Sequence, residues 1–322
     1  MKVLFLEKNM TDASPLITLA DSLKERNVDI FFADFSKLTT MSLIKLYLKV
    51  DVVVLQHYAE LQGYDARQVS LASLLGAPLV RNWAGTDALN STSNDIIKYS
   101  TSLVDSFTAA NVTTTHSGLV DELASIGLRC DLLPQIVEFK LINSTDKNTF
   151  KPKSALVYLP SAKMQFYGSE YIERLIHNYP EMHFTIIADH EHYFEKYDNV
   201  TSLGWVDKVE MLNVWDNIGL LIRITEHDGF PRMILEALGR GKYVIHNNEN
   251  IEGIWYAHDQ ESIEVELERY LSKSEENYKG LHVFENLKQD NPGKRYYDYL
   301  SSVKNPFKKR LSALRYLLQS LI

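Results

Sequence analysis

The sequence predicts an α/β chain built as two doubly wound parallel sheets. Three observations carry that prediction. Short apolar runs at 3–6, 51–55, 156–159 and 218–224 lack the polar alternation of a sheet with one wet face. Segments of helical spacing separate these runs, so strand and helix alternate along the chain. The chain has 322 residues, 45% hydrophobic and 24% charged, which is enough material for two cores. The expected division is an N-terminal doubly wound domain at 1–150, a second one at 151–303 and a basic terminal helix at 304–322.

In the first half, strands are expected at 3–6, 28–33, 51–55, 78–81 and 112–115, with a short one near Leu132. Helices are expected at 14–26, 41–49, 68–75 and 117–126. The polar stretch 143–148 leads into a linker at 151–154, where Pro152 breaks regular structure. In the second half, strands are expected at 156–159, 183–188, 199–205 and 218–224, and helices at 168–176 and 209–215.

Composition excludes several classes. A net charge of −8 argues against a general nucleic-acid binder. A single cysteine, Cys130, rules out an internal disulfide framework or a multi-cysteine zinc site, and it reads as a small core residue. No run approaches the roughly 18 apolar residues of a membrane span. The opening MKVLFLEKN is a strand, too brief for a signal peptide. These features fit a reducing cytoplasm.

The most informative stretch is RITEHDGFPRMILEALGRGKYVI, residues 223–245. A polar loop follows the apolar run, and Pro231 stands where a helix begins, a position suited to its fixed φ. Met233, Ile234, Ala237 and Leu238 have helical spacing, and Gly239 and Gly241 end the helix before another strand at 243–245. This is a βαβ unit. Gly229 permits close approach to the backbone. The free N–H groups of the following helix favour an anionic group such as a phosphate. Asp228 and Glu236 supply carboxylates that accept from sugar hydroxyls. On spacing alone a second reading stands beside this one, in which Glu236 pairs with Arg232 and Asp228 is only a loop acid.

The run DGFPRMILEALGRGKYVI resembles the signature of family-4 glycosyltransferases of the GT-B fold: an acid, Gly-Phe, seven residues between the two acids, Glu-Ala, a glycine and a Val-Ile strand. Asp228 stands where that pattern usually has Glu. The resemblance implies two Rossmann-like domains facing across a cleft. It also implies that Asp228 and the backbone of Gly229 and Phe230 hold a donor sugar, that Glu236 holds ribose, and that the helix start at Pro231 and Arg232 faces the diphosphate. In the segment NVTSLGW, main-chain groups at Trp205 and Val206 are placed near a nucleobase, although Trp205 reads equally well as core.

The first half carries the acceptor side of the resemblance. His57 follows the third strand, where it lines the reacting face or serves as a surface or capping histidine. Trp83, Thr86 and Asp87 lie in NWAGTDAL, which resembles the W-x-G-T-D turn of the same superfamily. Asp87 binds acceptor hydroxyls, acts as a base in an inverting enzyme, or simply caps a helix. His116 lines the same cleft after the fifth strand. Two departures from the family pattern stand out. Glu7, Lys8 and Asn9 replace a Gly-Gly pair after the first strand. The phosphate segment PSAKMQFYGSE holds Lys163 as its only cation, with Arg223 and Arg232 as alternatives for the countercharge that a leaving diphosphate needs.

The end of the chain is basic and amphipathic. Lys304, Lys308, Lys309, Arg310 and Arg315 interleave with Phe307, Leu311, Leu314, Leu318 and Leu321 at helical spacing. One reading packs this helix on the N-terminal domain. Another lays it on anionic membrane.

The resemblance implies a retaining glycosyltransferase, hexosyl in type and independent of metal. Its partners are a nucleotide-sugar donor and a glycan or lipid-linked glycan acceptor, with no nucleic acid, in surface polysaccharide or glycoconjugate assembly. No cofactor beyond the donor is implied, and no Asp-x-Asp motif is present. The alternative is a non-catalytic GT-B protein that binds a sugar nucleotide or glycan within an assembly complex. An epimerase or phosphorylase on the same fold ranks third.

Overall fold

The computed structural model describes residues 1–11, 14–56, 61–137, 142 and 150–320, with the side chain of Glu25 left out. The chain divides into two compact units, 1–138 with 290–322, and 139–289. The second unit is therefore inserted into the first. These limits differ from the expected divisions at 150 and 303, because the chain rejoins the first unit at Asp290.

The first unit runs β1 (Lys2–Glu7), α1 (Pro15–Leu23), β2 (Asp29–Asp34), α2 (Thr40–Tyr47), β3 (Val52–Gln56) and α3 (Gly63–Leu74). It continues with β4 (Leu79–Trp83), α4 (Thr86–Ser93), α5 (Asp95–Phe107), β5 (Ala110–Thr113), α6 (Ser117–Ser125) and β6 (Asp131–Leu132). The sheet order is β2-β1-β3-β4-β5-β6, and every pairing is parallel. One face packs Leu4, Leu6, Val53, Leu55 and Leu79 under α2, α3 and α5. The other packs Val3, Phe5, Val52, Val54 and Val80 against Leu16, Leu19 and Leu23 of α1. Strands covered on both faces explain the continuous apolar runs.

The second unit runs β7 (Ser154–Tyr158), α7 (Ser169–Asn178), β8 (His183–Ile187), β9 (Val200–Ser202), α8 (Lys208–Asp216) and β10 (Leu220–Arg223). It ends with α9 (Arg232–Gly239), β11 (Tyr243–His246), β12 (Trp255–Tyr256), α10 (Gln260–Leu271) and α11 (Tyr278–Gln289). Its sheet is again parallel throughout, in the order β12-β11-β10-β7-β8-β9. Cys130 and Trp83 both lie in a buried cluster of the first unit with Leu119, Leu123 and Leu128.

A helix after the turn at Asp87 was one reading of the sequence and is α4, whereas α5 was not expected. Asn94 starts α5 by accepting from the amides of Ile96 and Ile97. Its inward face mixes Ser100 and Thr101 with Val104 and Phe107, while Ile96 and Tyr99 point to solvent. The apolar periodicity is thereby erased. In α3 the helix begins at Gly63, earlier than the expected residue 68.

Two helices return to the first unit: α12 (Pro292–Ser302) and α13 (Phe307–Gln319). Asn291 caps α12 through the amide of Lys294, Pro292 takes its first turn, and Tyr296 and Leu300 enter the core beside α1. Helix α13 packs through Ala313 and through Tyr316, whose ring stacks on Phe107 at 5.9 Å. Lys309 donates to the Asp105 carbonyl at 2.6 Å, and Tyr316 to the Gly63 carbonyl at 3.3 Å. The row expected to be its packing face is mostly turned outward: Phe307 is 77% exposed and Leu318 55%.

Tyr296 is fully buried, and its hydroxyl has no hydrogen-bond partner among the described residues. An orphaned buried hydroxyl costs free energy that an apolar isostere does not. Tyr296→Phe is therefore expected to hold or raise stability by about 1 kcal/mol, whereas Tyr296→Ala lowers it by about 3–5 kcal/mol through the cavity left behind. Urea denaturation of both variants checks this. A Phe variant as unstable as the Ala variant would count against the packing described.

Candidate functional site

In open parallel sheets, ligands bind beyond the carboxyl ends of the strands, where the strand order reverses. That switch lies between β1 and β3 in the first sheet and between β7 and β10 in the second. The strand-ending residues at the two points are Glu7 with Gln56, and Tyr158 with Arg223.

The second switch point is built around Arg223. Its side chain is buried, and it donates from Nε to Asp228 Oδ2 at 2.7 Å while Nη2 approaches the same oxygen at 2.7 Å. The rings of Tyr158 and Tyr167 flank the guanidinium at 4.9 and 5.3 Å, and meet each other edge-on at 5.1 Å. Burial opposes the charge of Arg223, but the attraction of Asp228 and Tyr167 outweighs it and raises the pKa above its ordinary value. Burial raises the Tyr167 phenol, against the pull of Arg223. Asp228 is thus tethered to the strand end as well as to its own loop, where the Gly229 amide donates to Oδ1 at 3.0 Å.

The loop carrying Asp228 is held from two other sides. Asn247, just past β11, donates to the Thr225 carbonyl at 2.7 Å and accepts from the Thr225 amide at 3.3 Å. The Glu226 amide donates to the Phe166 carbonyl at 2.9 Å. His246 at the end of β11 is buried, and its Nδ1 bonds the Arg223 carbonyl. Pro231 precedes α9 with extended backbone, so the helix starts at Arg232. Gly229 is buried, and Phe230, Pro231, Arg232 and Glu236 are half-buried. Gly241 closes the segment in the left-handed region at φ 67°.

The remaining second-unit candidates are less enclosed. Lys163 is exposed, with its ammonium 5.8 Å from the Phe166 ring centroid. Trp205 is 63% exposed, which corrects its reading as a core residue, and Val206 is half-buried. Sequence reasoning missed a buried carboxylate nearby. Asp189 accepts from the Ser161 hydroxyl at 3.1 Å and the Ser202 hydroxyl at 3.0 Å, joining the ends of β7, β8 and β9.

In the first unit the loop after β1 is closed by a carboxylate. Asp34 at the end of β2 accepts from the amides of Asn9 at 3.0 Å, Met10 at 3.2 Å and Ser36 at 3.0 Å, and Lys37 lies 3.0 Å away. Burial would raise this carboxyl, but the bonds from Ser36, Lys37 and Asn9 pull it down to about 2. Asn9 takes φ 56°, the left-handed conformation that a glycine adopts freely. The amides that a phosphate would meet here already donate to Asp34. Lys8 pairs with Asp65 of α3.

The W-x-G-T-D turn is internal. Trp83 is fully buried and donates to Asn111 at 3.1 Å, with Arg81 stacked on its ring at 3.9 Å. Burial draws Arg81 down to about 10 against the attraction of Asp87 and Asp105. Asp87 is 2% exposed and accepts from the amides of Ala84 at 3.0 Å, Gly85 at 2.9 Å and Ala88 at 3.0 Å, and from Gln56 at 3.1 Å. Burial raises its pKa against those backbone bonds and Arg81. Its carboxylate therefore shapes the turn. The helix cap is Gly85 at φ 124°, and Asp87 sits one residue inside the helix start. Of this group only Thr86 is exposed. His116 is half-buried at the start of α6, its ring lying over Gly118. His57 lies outside the described residues. Burial pushes the Cys130 thiol up to about 12, with Asp131 and Asp87 adding to the shift, as suits an inert core residue.

No family model matches the sequence, and no curated protein matches it. The fold has clear likenesses among solved structures. A trehalose-6-phosphate synthase, OtsA, aligns with a TM-score of 0.65 at 11% identity over 94% of this chain and 99% of that one. The UDP-GlcNAc 2-epimerase from Methanocaldococcus jannaschii aligns at 0.53 and 12% identity over 90% of this chain and 100% of that one. A chain of the GtfA/B complex aligns at 0.57 and 13% identity over 90% of this chain, which spans 61% of that chain's length. Together with the two six-stranded parallel sheets, these likenesses establish the GT-B fold, with two Rossmann-like units.

Two outcomes test the geometry. Asp34 has a depressed native pKa of about 2, so its stabilising effect is complete above the unfolded value near 4 and lost as pH falls toward 2. Asp34→Asn is expected to melt below the wild type at pH 7, with the gap closing between pH 4 and 2; a gap independent of pH would contradict the assignment. Asp87→Ala leaves several buried donors without an acceptor and is expected to cost roughly 3 kcal/mol or more of stability. A variant with native stability in chemical denaturation would show that the network does not hold the turn.

Proposed function

We propose that this protein is a glycosyltransferase that moves a sugar from a nucleotide diphosphate donor to an acceptor hydroxyl with retention at the anomeric carbon. The observation that carries the reading is the loop after β10. It sits at the switch point of the second sheet, Asp228 is fixed by Arg223, and Glu236 lies eight residues later, just over one turn into α9. In this reading the amides at the start of α9 face the diphosphate, Asp228 and the Gly229–Phe230 backbone hold the sugar, and Glu236 accepts from the ribose hydroxyls. Main-chain groups at Trp205 and Val206 meet the base. Arg223, Arg232 and Lys163 are the cations assigned to the leaving group. His57, His116 and Thr86 remain the acceptor-side candidates. The bond from the anomeric carbon to the diphosphate oxygen breaks as the acceptor oxygen bonds to that carbon, and the acceptor proton passes to the departing phosphate. This route needs no enzyme nucleophile and no metal.

The donor class fits neighbours whose names include a UDP-GlcNAc epimerase and sugar-phosphate synthases. The acceptor is a glycan or lipid-linked glycan, and the setting is surface polysaccharide assembly in the cytoplasm. Among the described residues no helix is long and apolar enough to cross a membrane. Support for peripheral contact with anionic lipid comes from α13, where exposed Phe307, Leu314 and Leu318 share the outer surface with exposed Lys308, Arg310 and Arg315.

One feature favours a non-catalytic sugar-nucleotide binder instead. Asp34 occupies the amides of Asn9 and Met10, and Lys163 stands alone in the phosphate segment. Thermal shift against a panel of nucleoside diphosphates and their sugars separates the readings when combined with a turnover assay. Binding should raise the melting temperature for one base, and Glu236→Ala should abolish that shift. A shift without donor hydrolysis or transfer selects the non-catalytic reading. No shift at millimolar ligand in the folded protein rejects both.

A further inference from the structure

A buried polar row crosses the switch point of the first sheet. Glu7, Gln56 and Asn82 end or nearly end β1, β3 and β4, and their Cα positions are paired in register, Glu7 with Gln56 and Gln56 with Asn82. They continue the face that carries Val3 and Phe5, Val52 and Val54, and Val80. On each strand the face changes from apolar to polar at this level. All three side chains are at least nine-tenths buried, with exposures of 6%, 0% and 2%.

The hydrogen bonds of the row run in one direction. The Asp87 carboxylate only accepts, so the Gln56 amide must donate to it with Nε2, at 3.1 Å. The Gln56 carbonyl is thereby turned to Asn82, which donates from Nδ2. That leaves Asn82 Oδ1 as the end of the chain, and it accepts no hydrogen bond among the described residues. At the other end of the row, Glu7 Oε2 likewise accepts none among the described residues, although Ser14 at the cap of α1 bonds the same carboxyl. Two buried acceptors without donors stand roughly 10 Å apart at Cα, two strand spacings. Each costs stability, and such costs persist in native proteins where the group serves a purpose other than folding.

We propose that Glu7 and Asn82 are recognition residues for the hydroxyl groups of a sugar, and that this row is where the first unit takes the acceptor. Two acceptor atoms at a switch point select a ligand that donates hydrogen bonds, and vicinal hydroxyls supply donors without bringing charge. The relay from Asp87 through Gln56 keeps Asn82 Oδ1 in the accepting orientation. The assignment to an acceptor rests on the transfer reading above; the assignment to a hydroxyl-bearing ligand does not.

Saturation-transfer NMR on the full chain tests it, using the methyl α-pyranosides of glucose, galactose, mannose and N-acetylglucosamine without nucleotide. At least one should receive saturation from the wild type. Glu7→Met and Asn82→Ala should each reduce that signal at least fivefold, while the thermal shift with a nucleoside diphosphate stays as in the wild type. Glu7→Met removes an orphaned acceptor together with the Ser14 bond, two effects of opposite sign, so its melting temperature should stay near that of the wild type, and it decides the matter if Asn82→Ala does not fold. Undiminished signal in a folded variant, or no signal from any of the four sugars with wild type, overturns the proposal. Loss of signal in the variants, in a protein that shows no nucleotide shift, keeps the sugar site and rejects glycosyl transfer.

Discussion

Parallel strand pairing is the constraint from which the architecture follows. Parallel neighbours cannot be joined by a hairpin, so every connection within a sheet must cross back over one of its faces. The crossovers bury both faces and bring every loop after a strand out at the same end. Among the described residues every strand pairing in both sheets is parallel. Polar side chains then gather mainly at the strand ends, with Arg81 and Asn111 as buried exceptions inside β4 and β5. Glu7, Gln56, Arg223 and His246 are the last residues of their strands, and each is buried.

Aspartates do much of the local building at those ends. Asp34 gathers the amides of the loop after β1, Asp87 those of the turn after β4, and Asp189 joins three strand ends through serines. Asp228 differs in being bound to a buried cation from the strand before it. A carboxylate that accepts several backbone amides organises a loop much as a bound anion would. Asp34 and Asp87 are in this sense anions that the chain supplies to its own loops.

Much of the fold was legible in the sequence. Continuous apolar runs located the central strands, and their alternation with helical segments indicated doubly wound sheets. Helices with mixed inner faces escaped, α5 most plainly, because Ser100 and Thr101 are buried there while Ile96 and Tyr99 are not. The outward row of α13 misled for the converse reason: Ala313 and Tyr316 make the packing contact, while Phe307, Leu314 and Leu318 are exposed. In the candidate site, the spacing of Asp228 and Glu236 was readable, since it is local. The burial of Trp83 and Asp87 was not, because it depends on Gln56 and Asn111 from neighbouring strands. Tyr158 and Tyr167 gave no local signal at all; only the fold brings them to Arg223.

The insertion of one unit within the other has a consequence for biosynthesis. The second unit is a continuous stretch, 139–289, and all its strands and helices are synthesised before α12 and α13. The first unit begins earlier but finishes later, since Tyr296, Leu300 and Ala313 belong to its cores. During translation, its sheet must wait with the flank beside α1 and the groove over α3 and α5 uncovered. Domains usually complete themselves in the order in which they are synthesised. Here the order of completion is reversed, and the nascent chain must keep an unfinished apolar face from other proteins for as long as it takes to make the inserted unit.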